Sequence, residues 1–122
     1  MADSQKTGHA LDLEIALAHV EGDRQLLAEL SAMFLQDYPR LLGEAKSAIL
    51  QGDHSGLERL AHTLKGRLAF FGIRKTHERV LELEMMGRTN AMARAPQALA
   101  AIEAELEGIL PEFESLTREQ NP

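Results

Sequence analysis

The chain has 122 residues, 44% hydrophobic and 26% charged, which predicts one compact domain with a core of ordinary size. It has no cysteine, which excludes disulfides and thiolate-bound zinc, and its net charge of −6 argues against nucleic acid as the main partner. The opening MADSQKTGHA lacks the apolar segment of a signal peptide, and no stretch has the roughly 18 apolar residues of a membrane span, so we expect a soluble, cytoplasmic protein without a membrane partner.

The first half of the chain predicts helices. Residues 11–17, LDLEIAL, alternate as a strand would, but a lone strand would have no partner in the chain, so a short leading helix is predicted. Residues 23–37 place apolar side chains at spacings of three and four, with Asp23 as the N-cap. Pro39 then marks either a kink or a new first turn, and the apolar pattern continues to Gly52.

A further helix is predicted to begin near Asp53 or Ser55 and to end at Gly72. Ser55 would form a capping box with Glu58, because a serine or threonine followed three residues later by glutamate is typical of helix starts. Residues 75–87 predict the next helix, with apolar side chains again at spacings of three.

The last helix has the clearest pattern and begins near Pro96. Its apolar seam consists of Leu99, Ile102, Leu106, Ile109, Phe113 and Leu116. Four main helices with short connections predict an all-α fold, an antiparallel four-helix bundle with a short additional N-terminal helix. We expect a single domain over residues 10–118, with flexible tails at 1–9 and 119–122.

Residues 61–66, AHTLKG, have a composition that a purely structural helix would avoid, because glycine costs roughly 1 kcal/mol relative to alanine inside a helix. With about 100° per residue and His62 at 0°, Lys65 lies near −60° and Gly66 near +40°, on one face. The apolar side chains lie between about 160° and 260°, so His62 points away from them. This predicted core stripe consists of Leu57, Leu60, Ala61, Leu64, Leu68 and Phe71.

These residue types suit phosphoryl transfer to the histidine. A neutral imidazole has a nucleophilic ring nitrogen at cellular pH and needs no activating base. Lys65 can neutralise charge on phosphoryl oxygens, and Gly66 leaves space for a bulky tetrahedral group. A solubility lysine or a tolerated helix flaw is the ordinary interpretation of either residue alone, but beside an outward histidine the combination favours a reactive site.

Charge is distributed unevenly along the chain. From His62 to Arg94 there are seven basic and three acidic residues, a local balance of +4, so the remainder carries −10. Such a basic region indicates an acidic partner surface or an anionic ligand. A solvated helix face is equally compatible with charge alone.

With AHTLKG, the preceding LERL and the closing Gly72, the chain resembles histidine-containing phosphotransfer (HPt) domains. EGD at 21–23, Phe34 with Pro39, GD at 52–53 and LELE at 81–84 extend the resemblance over most of the chain. The resemblance implies that His62 receives a phosphoryl group from a receiver-domain aspartate and passes it to another in two-component signalling. The implied partners are response-regulator receiver domains and a hybrid sensor kinase.

The same resemblance implies that Lys65 contacts the phosphoryl oxygens and that Gly66 leaves room for them. It also implies a glutamine or glutamate on the next helix against the other ring nitrogen of His62, and the matching residue is Glu84. With Val80 at 0°, Glu84 lies near 40°, at the margin of the apolar side, from which a long side chain could reach the neighbouring helix. A carboxylate there would fix the tautomer of the ring, whereas a surface glutamate is the alternative.

Two residues depart from the family pattern: Arg67 stands where a small residue is usual, and Phe70 where a small or amide residue is common. Neither blocks the imidazole, but both crowd one flank of it, which bears on which receiver can dock. Phe70 is either a partner-facing anchor or packs under a neighbouring helix. Together with Arg59 and Arg79, these two are the candidate partner-binding residues.

Other chemistry finds little support in the sequence. No GxxxxGKS or GxxxxGKT motif occurs, so we expect a phosphocarrier without kinase activity of its own. The other histidines show no metal-binding spacing, so no metal site and no cofactor are expected, and any magnesium should come with the receiver. Met85 and Met86 are predicted to fill the core. A monomer is expected, and the alternative function is a non-catalytic helical adaptor that binds an acidic partner surface.

Overall fold

A computed structural model describes residues 10–118. In that range the chain forms five α-helices and a short 3-10 turn, and contains no strand. The elements are α1 Leu13–His19, α2 Arg24–Gln51, α3 His54–Phe70, α4 Arg74–Thr89, the 3-10 turn Met92–Arg94, and α5 Ala95–Arg118. The predicted four-helix bundle with a short N-terminal helix is confirmed. The flexible tails predicted at 1–9 and 119–122 lie outside the described residues.

Aspartate side chains cap the first three helices. Asp12 accepts a hydrogen bond from the backbone N–H of Ile15, and Asp23 caps α2 as predicted. Asp53, not Ser55, caps α3, because its Oδ1 accepts from the backbone N–H of Gly56 at 2.9 Å. The predicted capping box is therefore wrong.

Helix α2 continues through Pro39, so the alternative of a new first turn at this proline is wrong. A proline inside a helix removes one backbone hydrogen bond. Here the helix is maintained by burial on both sides of the proline, with Phe34 before it and Leu41 and Leu42 after it in the core. Gly52, with φ +71°, ends the helix in the left-handed conformation that glycine adopts readily.

Each long helix buries one apolar stripe in a common core. The predicted stripe of α3 is buried except for Leu60, which is only partly covered, and every predicted seam residue of α5 is buried. Met86 packs against this core, but Met85 is 41% exposed, so the prediction that both fill the core is wrong for Met85. Among residues 10–118, no helix has both the length and the apolar character needed to cross a membrane.

Helices α3 and α4 approach each other closely at Gly87. A Cβ atom on Gly87 would lie 2.7 Å from the backbone nitrogen of Glu58 and 2.8 Å from the carbonyl oxygen of His54. The ring Nδ1 of His54 also lies 3.0 Å from the carbonyl oxygen of Gly87. The absence of a side chain at Gly87 therefore lets the two backbones pack closely enough for Glu84, one turn earlier on α4, to reach the neighbouring helix.

Candidate functional site

The imidazole of His62 stands on the outer face of α3. Its side chain is 71% exposed, whereas the adjacent Ala61 and Leu64 are buried. This is the orientation that the 100° periodicity predicts. The ring is therefore open to a macromolecular partner without any movement of the bundle.

Glu84 supports the ring from below. Its Oε2 lies 3.0 Å from Nδ1 of His62, and the residue is only 1% exposed. The predicted contact between the two helices is thus present, but Glu84 is buried and does not lie at the margin of the core. Burial follows from the close approach of α3 and α4 at Gly87.

Lys65 also lies against this carboxylate. Its Nζ is 2.6 Å from Oε1 of Glu84, a distance typical of a charge-assisted contact. The Lys65 side chain is 24% exposed. The helix periodicity predicts Lys65 on the outer face beside His62. In the structure its ammonium reaches inward and neutralises Glu84.

Arg88 is a second cation near Glu84, and in the sequence it belongs to the basic region between His62 and Arg94. Its Nη2 lies 3.5 Å from Oε2 of Glu84, and its Nε donates to Oε2 of Glu58 at 2.8 Å. Arg88 therefore connects α4 to α3 beside the site. The spacing of four residues from Glu84 is the signal that would have identified it.

The charge on Glu84 determines which nitrogen of His62 carries the proton. Burial by itself would raise the pKa of Glu84, but the contacts with Lys65 and His62 outweigh it and hold the pKa below its ordinary value. An ionised carboxylate can only accept hydrogen bonds, so Nδ1 of His62 is the donor. In the neutral ring the lone pair is then on Nε2, which faces away from Glu84.

This pKa gives a testable dependence of stability on pH. Because the folded-state pKa of Glu84 lies below its ordinary value of 4.5, ionised Glu84 stabilises the fold at neutral pH, and this contribution is lost as the pH falls below 4.5 through the lowered pKa. We therefore expect the difference in unfolding free energy between the native protein and Glu84→Gln to be largest at neutral pH and to shrink on acidification.

Urea denaturation followed by circular dichroism across this pH range measures the difference. A difference that stays constant between neutral and acidic pH would contradict the lowered pKa.

Gly66 opens the space beside the imidazole on the α2 side. A Cβ atom there would meet nothing within 4 Å, so the glycine is not required by packing. Gly66 lies on the edge of a groove of about 630 Å³ between α2 and α3. Its lining includes Leu30, Met33 and Phe34 of α2 and Gly66, Arg67 and Phe70 of α3.

The four candidate partner-binding residues are not all brought together. Arg67 and Phe70 line the groove, and Arg59 is exposed one turn before His62 on the same helix. Arg79 lies elsewhere, because its guanidinium pairs with Glu105 of α5.

Of the two alternatives for Phe70, packing against a neighbouring helix is observed, and the role of a partner-facing anchor stays a prediction. Its ring stacks on His19 of α1 with a centroid distance of 4.9 Å, and it meets Phe71 edge-on at 5.0 Å. Phe70 nevertheless remains partly exposed in the groove. The residue thus packs against a neighbouring helix and leaves part of its ring exposed in the groove.

Within the described range 10–118, no three histidine, aspartate or glutamate residues are arranged so that they could hold a metal ion. The polar groups around His62 are instead one carboxylate and the two cations Lys65 and Arg88. This arrangement can orient a neutral imidazole and compensate negative charge beside it.

The profile of the Hpt domain family matches residues 29–111, a range that contains all of α3 and α4. Among solved structures, histidine-containing phosphotransfer protein B (HptB) from Pseudomonas aeruginosa PAO1 is similar, with a TM-score of 0.82 and 24% sequence identity. The similarity covers 89% of this chain and 95% of that chain, and at this identity it shows a shared fold. No curated protein sequence is significantly similar to the chain.

Proposed function

The chain belongs to the Hpt domain family, which acts in histidine phosphotransfer in two-component signalling, and from this premise we propose that His62 is the phosphoryl carrier. In this proposal Nε2 of His62 accepts the phosphoryl group from an aspartyl phosphate of one receiver domain and passes it to an aspartate of another. The protein acts as a cytoplasmic monomer without kinase activity, and the first receiver belongs to a hybrid sensor kinase.

The transfer step uses the tautomer that Glu84 imposes. The lone pair on Nε2 attacks phosphorus while the bond from phosphorus to the aspartyl oxygen breaks, and its electron pair stays on the receiver carboxylate. The phosphorylated ring keeps its proton on Nδ1 and gains positive charge, which the ionised Glu84 at 3.0 Å stabilises. When a second aspartate attacks, the ring leaves as a neutral imidazole.

Lys65 supplies positive charge to the transferred group. One turn from His62, its ammonium can turn from Glu84 toward the phosphoryl oxygens, since a lysine side chain is long and flexible. Arg88 at 3.5 Å then remains beside the carboxylate of Glu84. Any magnesium ion belongs to the receiver domain, as the family resemblance implies.

The observation that carries this proposal is the pair formed by the exposed imidazole of His62 and the buried carboxylate of Glu84. A histidine kept only for stability would not need an ionised partner beneath an open ring. The open space at Gly66 adds access for the donor on the same face.

Phosphosite mapping on the native protein tests the proposal. The protein is incubated with receiver domains phosphorylated by acetyl phosphate, and mass spectrometry after digestion locates the phosphate. We expect one acid-labile, base-stable phosphate, on the peptide that contains His62. Phosphate on His9, His19, His54 or His77 would overturn the assignment, and binding of receivers without any phosphorylation would instead indicate the helical adaptor.

A further inference from the structure

The groove beside Gly66 has an apolar part and a polar end. Phe34 of α2 meets Phe71 at the end of α3 with a ring-centroid distance of 5.8 Å, and Asp37, further along α2, pairs with Arg67, which lies earlier on α3. The two helices are therefore antiparallel. The apolar lining residues of α2 all precede Asp37. The pair Asp37–Arg67 therefore bridges the two helices at the end of the groove near Gly66, away from the end lined by Phe34 and Phe71.

Both oxygens of the Asp37 carboxylate already accept hydrogen bonds from arginines. Its Oδ1 accepts from Nε of Arg40 at 2.9 Å, and its Oδ2 accepts from Nη2 of Arg40 at 3.2 Å and from Nη1 of Arg67. These hydrogen bonds, first from Arg40 and then from Arg67, lower the pKa of Asp37 below its ordinary value. Asp37 is thus an anchor for the guanidinium of Arg67.

Arg67, in contrast, keeps donors available. A guanidinium has five N–H donors, and the contact with Asp37 uses one of them. The Arg67 side chain is 39% exposed. The Arg67 guanidinium therefore offers unused donors at this end of the groove, and exposed Arg59 adds positive charge about 12 Å away along the same helix.

We propose that Arg67, held across the groove by Asp37, is a specificity-determining residue that selects receiver domains with a carboxylate side chain at this point of their docking surface. The inference rests on the proposed function, because the partner that docks at this groove is the phosphorylated receiver. A fixed guanidinium binds a carboxylate in bidentate geometry without losing further side-chain entropy. A receiver with lysine or arginine at the same point meets a like charge and is rejected.

The position of Arg67 allows it to select receivers without affecting phosphoryl transfer at His62. Near 140° on the α3 wheel, with His62 at 0°, it lies on the flank of the helix toward α2 and does not cover the imidazole. Because it stands where the family resemblance predicts a small residue, the selection is a feature of this chain.

Rates of transfer from a panel of receiver domains test the inference. Receivers encoded by the same genome are phosphorylated with acetyl phosphate, and the rate of transfer to the native protein, Arg67→Ala and Asp37→Asn is measured at low receiver concentration. The matched control is Lys46→Ala. Lys46 is an exposed cation that lies about 13 Å from Asp37 along α2, on the face of that helix opposite to Asp37. Circular dichroism checks that each variant is folded.

We expect the ratio of the transfer rates from the fastest and the slowest receivers to fall about ten-fold in Arg67→Ala, which corresponds to a loss of about 1.4 kcal/mol of discrimination. In Asp37→Asn, which frees the guanidinium, the ratio should fall by roughly three-fold, since part of the preorganisation is lost. Lys46→Ala should keep the native ratio. The preference should also weaken as the salt concentration rises, because charges at this exposed site are screened.

An unchanged ratio in Arg67→Ala would overturn the inference, and so would a native ratio in Asp37→Asn, which would show that the ion pair has no part in selection. A native protein that accepts phosphate equally from all receivers would overturn it as well while leaving the proposed function intact. A native protein that accepts phosphate from none would overturn both.

Discussion

Replacing Gly66 by leucine is expected to slow phosphoryl transfer to His62 by about a hundred-fold or more, which corresponds to about 2.7 kcal/mol of barrier, while the protein stays folded. The space at the Cβ position of Gly66 is open, so the new side chain meets no neighbour in the bundle. In a helix, side chains lean toward the N-terminus, and a leucine at position i+4 leans over the residue one turn earlier. It would therefore cover the approach to Nε2 of His62.

Measuring both the rate of transfer from a phosphorylated receiver and the thermal unfolding of each variant distinguishes blocked access to His62 from loss of stability. Leucine inside a helix is favoured over glycine by up to about 1 kcal/mol, so the stability of Gly66→Leu should be unchanged or higher. The matched control is Gly108→Leu, since Gly108 is also exposed inside a helix with open space at its Cβ position. His62→Gln gives the background rate. A native rate in Gly66→Leu would show that access at this turn does not limit transfer.

The sequence was sufficient to predict the helices and the outward direction of His62, because both follow from the period of apolar residues on a single helix. The contact with Glu84 was predictable only with the family resemblance, since it joins side chains 22 residues apart on different helices. Its burial was not predictable, because that depends on how closely the backbones of α3 and α4 approach at Gly87.

Side-chain pairing across helices accounts for most of what the sequence did not reveal. Lys65 was placed on the outer face by its angle, but its long stem lets the ammonium reach the buried carboxylate of Glu84. Arg67 was expected to crowd one flank of the imidazole without blocking it, and its ion pair with Asp37, 30 residues earlier, was not predicted. The helical periodicity predicts the direction in which a side chain leaves the backbone, but the position of its charged end depends on the charges on neighbouring helices.

Gly87 is the residue on which the geometry between α3 and α4 depends, and Gly87→Ala is expected to lower the free energy of unfolding by about 2 to 3 kcal/mol. The added Cβ would lie 2.7 Å from the backbone nitrogen of Glu58 and 3.0 Å from its Cα, and backbone atoms cannot move aside as a flexible side chain can. The loss would exceed the gain of roughly 1 kcal/mol that alanine brings inside a helix. It is a large part of the roughly 5 to 15 kcal/mol that stabilises a typical domain.

Urea denaturation of the native protein, Gly87→Ala and the control Gly108→Ala measures this effect. Gly108→Ala, with nothing within 4 Å of its Cβ position, should be as stable as the native protein or slightly more so. In Gly87→Ala the separation of α3 from α4 should also weaken the bond from His62 to Glu84, so transfer should slow even where the protein remains folded. Equal stabilisation by the two alanines would show that Gly87 does not hold the helices together closely, and the burial of Glu84 would then need another cause.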